Sequence, residues 1–126
     1  MPIGKHVLLD MEFEEYIDND TLMSLTFQIA ENAIHKKSTL KIMSRVMYPL
    51  KNPDGFSWYI GLDESHITCH CYNDTETCLK LLAFDAFTCG NNNPELIIDM
   101  IRGALLLTFN SMKINNTLKV DRFFSG

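Results

Sequence analysis

Ser65 stands behind an acidic pair, Asp63 and Glu64, and ahead of His66 and His70. A hydroxyl followed in one short segment by two imidazoles is raw material for nucleophilic or acid–base chemistry. Alone, the pattern is weak: no acidic third partner of a hydrolytic triad is identifiable, and the glycine-flanked turn of a nucleophile elbow is absent. Cys69 and Cys71 with the same histidines suggest zinc. In an extended strand, however, both thiols face one side and both imidazoles the other, so no metal site is expected. On these residues alone, polar side chains on the open face of a sheet explain the segment better than catalysis does.

The elements that must hold this segment are readable from periodicity. An apolar run around Val7, Leu8 and Leu9 predicts a strand over 4–13. Asp18 to Thr21 offer N-cap side chains for a helix with its apolar stripe at Leu22, Leu25, Ile29 and Ala33, and His35, Lys36 and Lys37 suit its C-terminal end. Alternation predicts a half-buried strand over 39–48, with Leu40, Ile42, Ser44, Val46 and Tyr48 on one face. Pro49, Asn52, Pro53, Asp54 and Gly55 predict a loop. Strands are expected over 56–62, 65–72 and 79–89, the last apolar on both faces and therefore central. Asn93 as cap, Pro94 in the first turn and Glu95 behind it open a second helix, and a final strand is expected over 117–124. The order predicts an α+β two-layer sandwich, a mainly antiparallel sheet with two helices on one face, forming one domain over residues 1–126.

Composition narrows the classes of function. Hydrophobic residues make up 46% and charged residues 21% of the 126, which is ordinary globular usage. The net charge is -5 with Lys and Arg scattered, so a nucleic-acid partner is not expected. The apolar runs are too short to span a bilayer and no signal layout opens the chain, which predicts a cytoplasmic protein without a membrane partner. The four cysteines then read as free thiols.

The stretch Gly4-Lys5-His6-Val7-Leu8-Leu9-Asp10, the loop Pro53-Asp54-Gly55-Phe56-Ser57, the tripeptide Glu64-Ser65-His66 with His70, and Phe87-Thr88-Cys89-Gly90 follow one another over roughly residues 4–105. In that order they resemble the prokaryotic-type, pyruvoyl-dependent S-adenosylmethionine decarboxylases. The resemblance implies a proenzyme that cuts its own backbone between Glu64 and Ser65, giving a β chain of residues 1–64 and an α chain of residues 65–126. Ser65 would attack the Glu64 carbonyl carbon, and elimination of the resulting ester followed by hydrolysis would leave a pyruvoyl cofactor derived from Ser65. His70 would serve as the base of processing, and Ser57 would steady its intermediate. The pyruvoyl group would form a Schiff base with the substrate and act as electron sink in place of pyridoxal phosphate. Cys89 would return the proton after CO2 leaves; a thiol, with a reference pKa of about 8.5, suits that step.

The match departs on the substrate side. His70 is followed by Cys71-Tyr72-Asn73-Asp74 where the family pattern has Thr-Trp-Pro-Glu, and Lys51 occupies a position that is commonly aromatic. Tyr72 is retained as a stacking candidate for adenine and Asp74 as an acceptor for a ribose hydroxyl. Decarboxylation of S-adenosylmethionine for polyamine synthesis is the first expectation, and a related ornithine or arginine decarboxylase is the second. A non-catalytic regulatory paralog is the third, against which retention of Ser57, Ser65, His70 and Cys89 counts. The uncovered face of the sheet and the family together imply a homodimer with shared active sites, in which Lys51 reaches a partner's Ser65.

Overall fold

The computed structural model describes residues 4–122. The elements run β1 (Gly4–Phe13), α1 (Asn19–Lys37), β2 (Ile42–Lys51), β3 (Asp54–Leu62), β4 (Ser65–Asn73), β5 (Lys80–Cys89), α2 (Pro94–Thr108) and β6 (Lys113–Arg122). The strands form one antiparallel sheet in the order β2-β3-β4-β5-β1-β6. Both helices pack on the same face, α1 against β2 and β3 and α2 against β1 and β5. This is the α+β two-layer sandwich expected.

Burial follows the two-residue period of each strand. Val7, Leu9, Met11 and Phe13 of β1, Ile67, Cys69 and Cys71 of β4, and Leu82, Phe84 and Ala86 of β5 form the inner face. They meet Leu22, Ala30 and Ile34 of α1 and Ile97, Ile101 and Leu105 of α2 in a single core. Trp58 crosses from β3 into this core, where its Nε1–H donates to Thr26 Oγ1 at 2.9 Å, so neither polar group is left unpaired. Burial pushes the Cys69 thiol well above its ordinary pKa and the Cys71 thiol to about 12, which makes both inert core residues. The capping expectations hold at both helices: Asp18 accepts from Thr21 N–H and Asn93 from Glu95 N–H.

Three expectations are corrected. The predicted strand over 39–48 lies at 42–51, and it is an exposed edge rather than half-buried. A register shift between Ile42 and Ser44 breaks the single face that simple alternation assigned to them. The predicted loop from Pro49 onward is mostly strand, because Pro49 sits on the sheet edge, where its missing N–H costs no ladder bond. A tight hairpin then turns at Asn52 and Pro53, whose peptide bond is cis. Gly55 follows, and it must be glycine: a Cβ there would come within 1.9 Å of the Cys71 carbonyl oxygen. The final strand begins at Lys113, earlier than expected, and residues 123–124 of the expectation lie outside the described residues.

Candidate active site

The outer face of the sheet is organised in transverse rows set by the register. One row runs Tyr48, Ser57, His70, Ala83, Asp10 and Asn116 across all six strands. Another runs Ser44, Gly61, His66, Phe87, His6 and Val120. Ser65 opens β4 directly after the tight turn at Asp63 and Glu64, paired with Leu62 across that turn.

The structure brings the expected residues together as two pairs. Ser65 Oγ accepts the Cys89 backbone N–H at 3.3 Å, so the end of β5 holds the hydroxyl from outside its own hairpin. Ser57 Oγ and His70 Nδ1 share a hydrogen bond of 2.6 Å. The pairs do not meet within one chain. His70 lies five residues along β4 from Ser65, about 16 Å at the strand rise, and an odd offset puts the two side chains on opposite faces. Ser65 itself is nearly buried. Glu64, on the other side of the bond that links it to Ser65, has φ 95°, a conformation that strains any residue with a Cβ.

On the substrate side, Tyr72 stacks on His70 with ring planes 8° apart. The Asp74 carboxylate is occupied by its own turn, where hydrogen bonds from Thr77 and from the Glu76 backbone hold it below its usual pKa. Lys51 is exposed at the end of β2, opposite Asp54. A polar clamp fixes this edge: Asn73 Nδ2 donates to Asp54 at 2.6 Å and to Asn19 at 3.0 Å, while Lys80 donates to Asn73 at 2.9 Å. It ties the β2–β3 hairpin and the end of β4 to the start of α1.

Sequence reasoning gave no partner to His6 or Asp85, yet their side chains are hydrogen-bonded across the β1–β5 register. His66 sits among them, stacked on Tyr59 and tilted against Phe87. Burial lowers the His66 pKa, against the opposing pull of the Asp85 carboxylate. A lone carboxylate, Asp85, inside the apolar run of β5 was the available signal; its partner 79 positions away was not. Among the described residues no three His, Cys, Asp or Glu side chains stand together as a metal site, and no helix is long and apolar enough to cross a membrane.

The fold is thus a two-layer α+β sandwich with a serine directly after a strained turn, its hydroxyl held by the end of a neighbouring strand. The family model for S-adenosylmethionine decarboxylase matches residues 5–117, and the chain belongs to that family. A curated relative, the S-adenosylmethionine decarboxylase proenzyme of Anoxybacillus flavithermus, is 30% identical over 98 residues, covering 78% of this chain and 64% of the relative. The match thus spans a little less than two thirds of that relative's length.

Proposed function

We propose that the chain is the precursor of a pyruvoyl-dependent decarboxylase that cuts itself between Glu64 and Ser65. The observation that most supports this is the hydrogen bond from the Cys89 backbone N–H to Ser65 Oγ, which ties the residue of the expected proton donor to the expected cleavage residue from a second strand. Ser65 Oγ attacks the Glu64 carbonyl carbon, the peptide C–N bond gives way, and an ester joins residue 64 to the Ser65 side chain. Removal of the Ser65 Cα proton then breaks the Cβ–O bond, releasing residues 1–64 with a free carboxylate. Hydrolysis of the remaining dehydroalanine expels ammonia and leaves the pyruvoyl group. That group supplies an electron sink for the bond to the leaving CO2. Cys89, at the same strand end, delivers the proton to the product carbon.

His70 is too far from Ser65 in its own chain to take that Cα proton. In a homodimer that covers the outer face, the base would come from the Ser57–His70 pair of the second copy, acting on the Ser65 Cα–H at the start of β4 and not on the inward-facing hydroxyl. Val46, Tyr48, Tyr59, Leu118 and Val120 favour this, since all five are exposed apolar or aromatic residues on that face by register.

The family makes S-adenosylmethionine, feeding polyamine synthesis, the first substrate to consider. A second reading, ornithine or arginine, is favoured by the engagement of Asp74 in its own turn, which leaves it unavailable to a ribose hydroxyl. Intact mass under denaturing conditions tests the shared core of both: fragments of 64 and 62 residues are expected, the second with a blocked N-terminus. A full-length chain after prolonged incubation, indistinguishable from Ser65→Ala, would reject self-processing.

A further inference from the structure

The row Ser57, His70, Ala83 and Asp10 crosses four neighbouring strands of the outer face. Its third member has only a methyl group, so a trough opens between His70 and Asp10. A cavity of about 270 Å³ opens along its Tyr72 side, lined by Tyr72, Leu81, Ala83, Asp10 and Asn115 among others, with His70 adjacent to the lining and not part of it. Two strand spacings place Asp10 about 10 Å from His70.

Asp10 is the one carboxylate in this lining. It is exposed, and no hydrogen bond or ion pair engages it among the described residues. The neighbouring carboxylates of the same face are engaged: Glu12 pairs with Lys113 and Asp85 with His6. Lys51 falls on the other side of β2 by alternation, with Met47 and Pro49, so its ammonium does not oppose a cation here. The cavity therefore offers an apolar floor, an aromatic wall and an unneutralised carboxylate at the far end.

We propose that this cavity takes the substrate's side chain and that Asp10 selects an α-amino acid ending in a protonated nitrogen, an ammonium or guanidinium, over S-adenosylmethionine. The inference rests on the pyruvoyl-dependent, shared-site reading, which puts the amino-acid head at the His70 end of the row. An aliphatic chain lies across Ala83 and Leu81, the Tyr72 ring flanks it, and the terminal N–H groups donate to the Asp10 carboxylate. A sulfonium carries a positive charge but has no N–H to donate to the carboxylate. Asp10 thus supplies a charge-assisted hydrogen bond that only the nitrogen cation satisfies.

Self-processed protein should be assayed for CO2 release from ornithine, arginine and S-adenosylmethionine, comparing wild type with Asp10→Asn and Ala83→Leu. The expected result is a higher kcat/KM for ornithine or arginine than for S-adenosylmethionine. Asp10→Asn should raise the KM for that amino acid about 10- to 100-fold with little change in kcat, the effect of losing one charged hydrogen bond. Ala83→Leu, which fills the trough, should raise the same KM, measured on the fraction of that variant that has been cleaved. Preference for S-adenosylmethionine, or an unchanged KM in Asp10→Asn, overturns the assignment of Asp10 with the pyruvoyl reading intact. Absence of the blocked 62-residue fragment would reject both together, and mass spectrometry reads that outcome separately.

Discussion

Ser57 and His70 face each other across β3 and β4 with a 2.6 Å hydrogen bond between Oγ and Nδ1, on the side of the sheet that Ser65 does not face. The bond fixes the imidazole orientation, Nε2 makes no hydrogen bond among the described residues, and Tyr72 stacked on the same ring limits its tilt. On the proposed reading, a base so held would act on the Ser65 Cα–H of a second copy and not on that of its own chain.

Complementation tests that consequence. Ser65→Ala retains His70 but cannot be cut, and His70→Ala retains Ser65 but lacks the base. Co-expressed, the two should assemble mixed dimers in which the His70→Ala chain is cleaved, whereas each variant alone stays intact. Failure of the mixture to yield the C-terminal fragment, with dimers present by sedimentation, would place the base within the same chain.

Cys89 contributes to the Ser65 contact through its backbone N–H, so removing its thiol leaves that hydrogen bond in place. Cys89→Ala should still process. Its decarboxylation should then fall ~10²–10⁴-fold, the loss typical of a missing proton-transfer group. Wild-type turnover in this variant would return Cys89 to the role of an ordinary half-buried cysteine.

The sequence showed the helices and inner strands well because their signals are local. Asn93, Pro94 and Glu95 announce α2 within three residues, and the double-sided apolar run of β5 marks a central strand. The edge of the sheet was harder: Pro49 looks like a loop residue until the strand is known to have a free side. The site was legible as residue types but not as geometry. Ser65 and His70 are close in sequence and distant in space, while His6 and Asp85 are the reverse, because cross-strand register is set by the whole sheet.

The His66 environment makes a pH prediction. Its pKa is lowered from 6.5 by burial, more than the Asp85 carboxylate restores, with His6 and Arg122 pushing the same way as burial and the Tyr59 and Phe87 rings packed alongside. A group with a depressed folded pKa contributes stability that is present above its unfolded value and lost as pH falls through the folded one. The unfolding temperature should therefore drop as pH is lowered below 6.5, and His66→Gln should flatten the drop. Parallel slopes in the two proteins would show that other groups control acid stability.

Glu64 offers a test of whether backbone strain helps the self-cleavage. Its φ of 95° lies immediately before the peptide bond to be cut, and such a conformation stores of order 1–3 kcal/mol in a residue with a side chain. Attack by Ser65 Oγ turns the Glu64 carbonyl carbon tetrahedral and ends in a more freely rotating ester, so the strain is held in the precursor and released on the way to the ester. Glycine adopts the same φ without penalty. Glu64→Gly should consequently fold at least as well as wild type yet process about 5- to 140-fold more slowly, since about 1.4 kcal/mol is a factor of ten in rate. Cys78, the other non-glycine residue of positive φ among those described, provides the control at 61°. Cys78→Gly relieves the same kind of strain in the β4–β5 loop, away from the scissile bond, and should leave the cleavage rate unchanged. Equal processing rates in Glu64→Gly and wild type would remove strain from the mechanism and leave hydrogen bonding at Ser65 as the source of the acceleration.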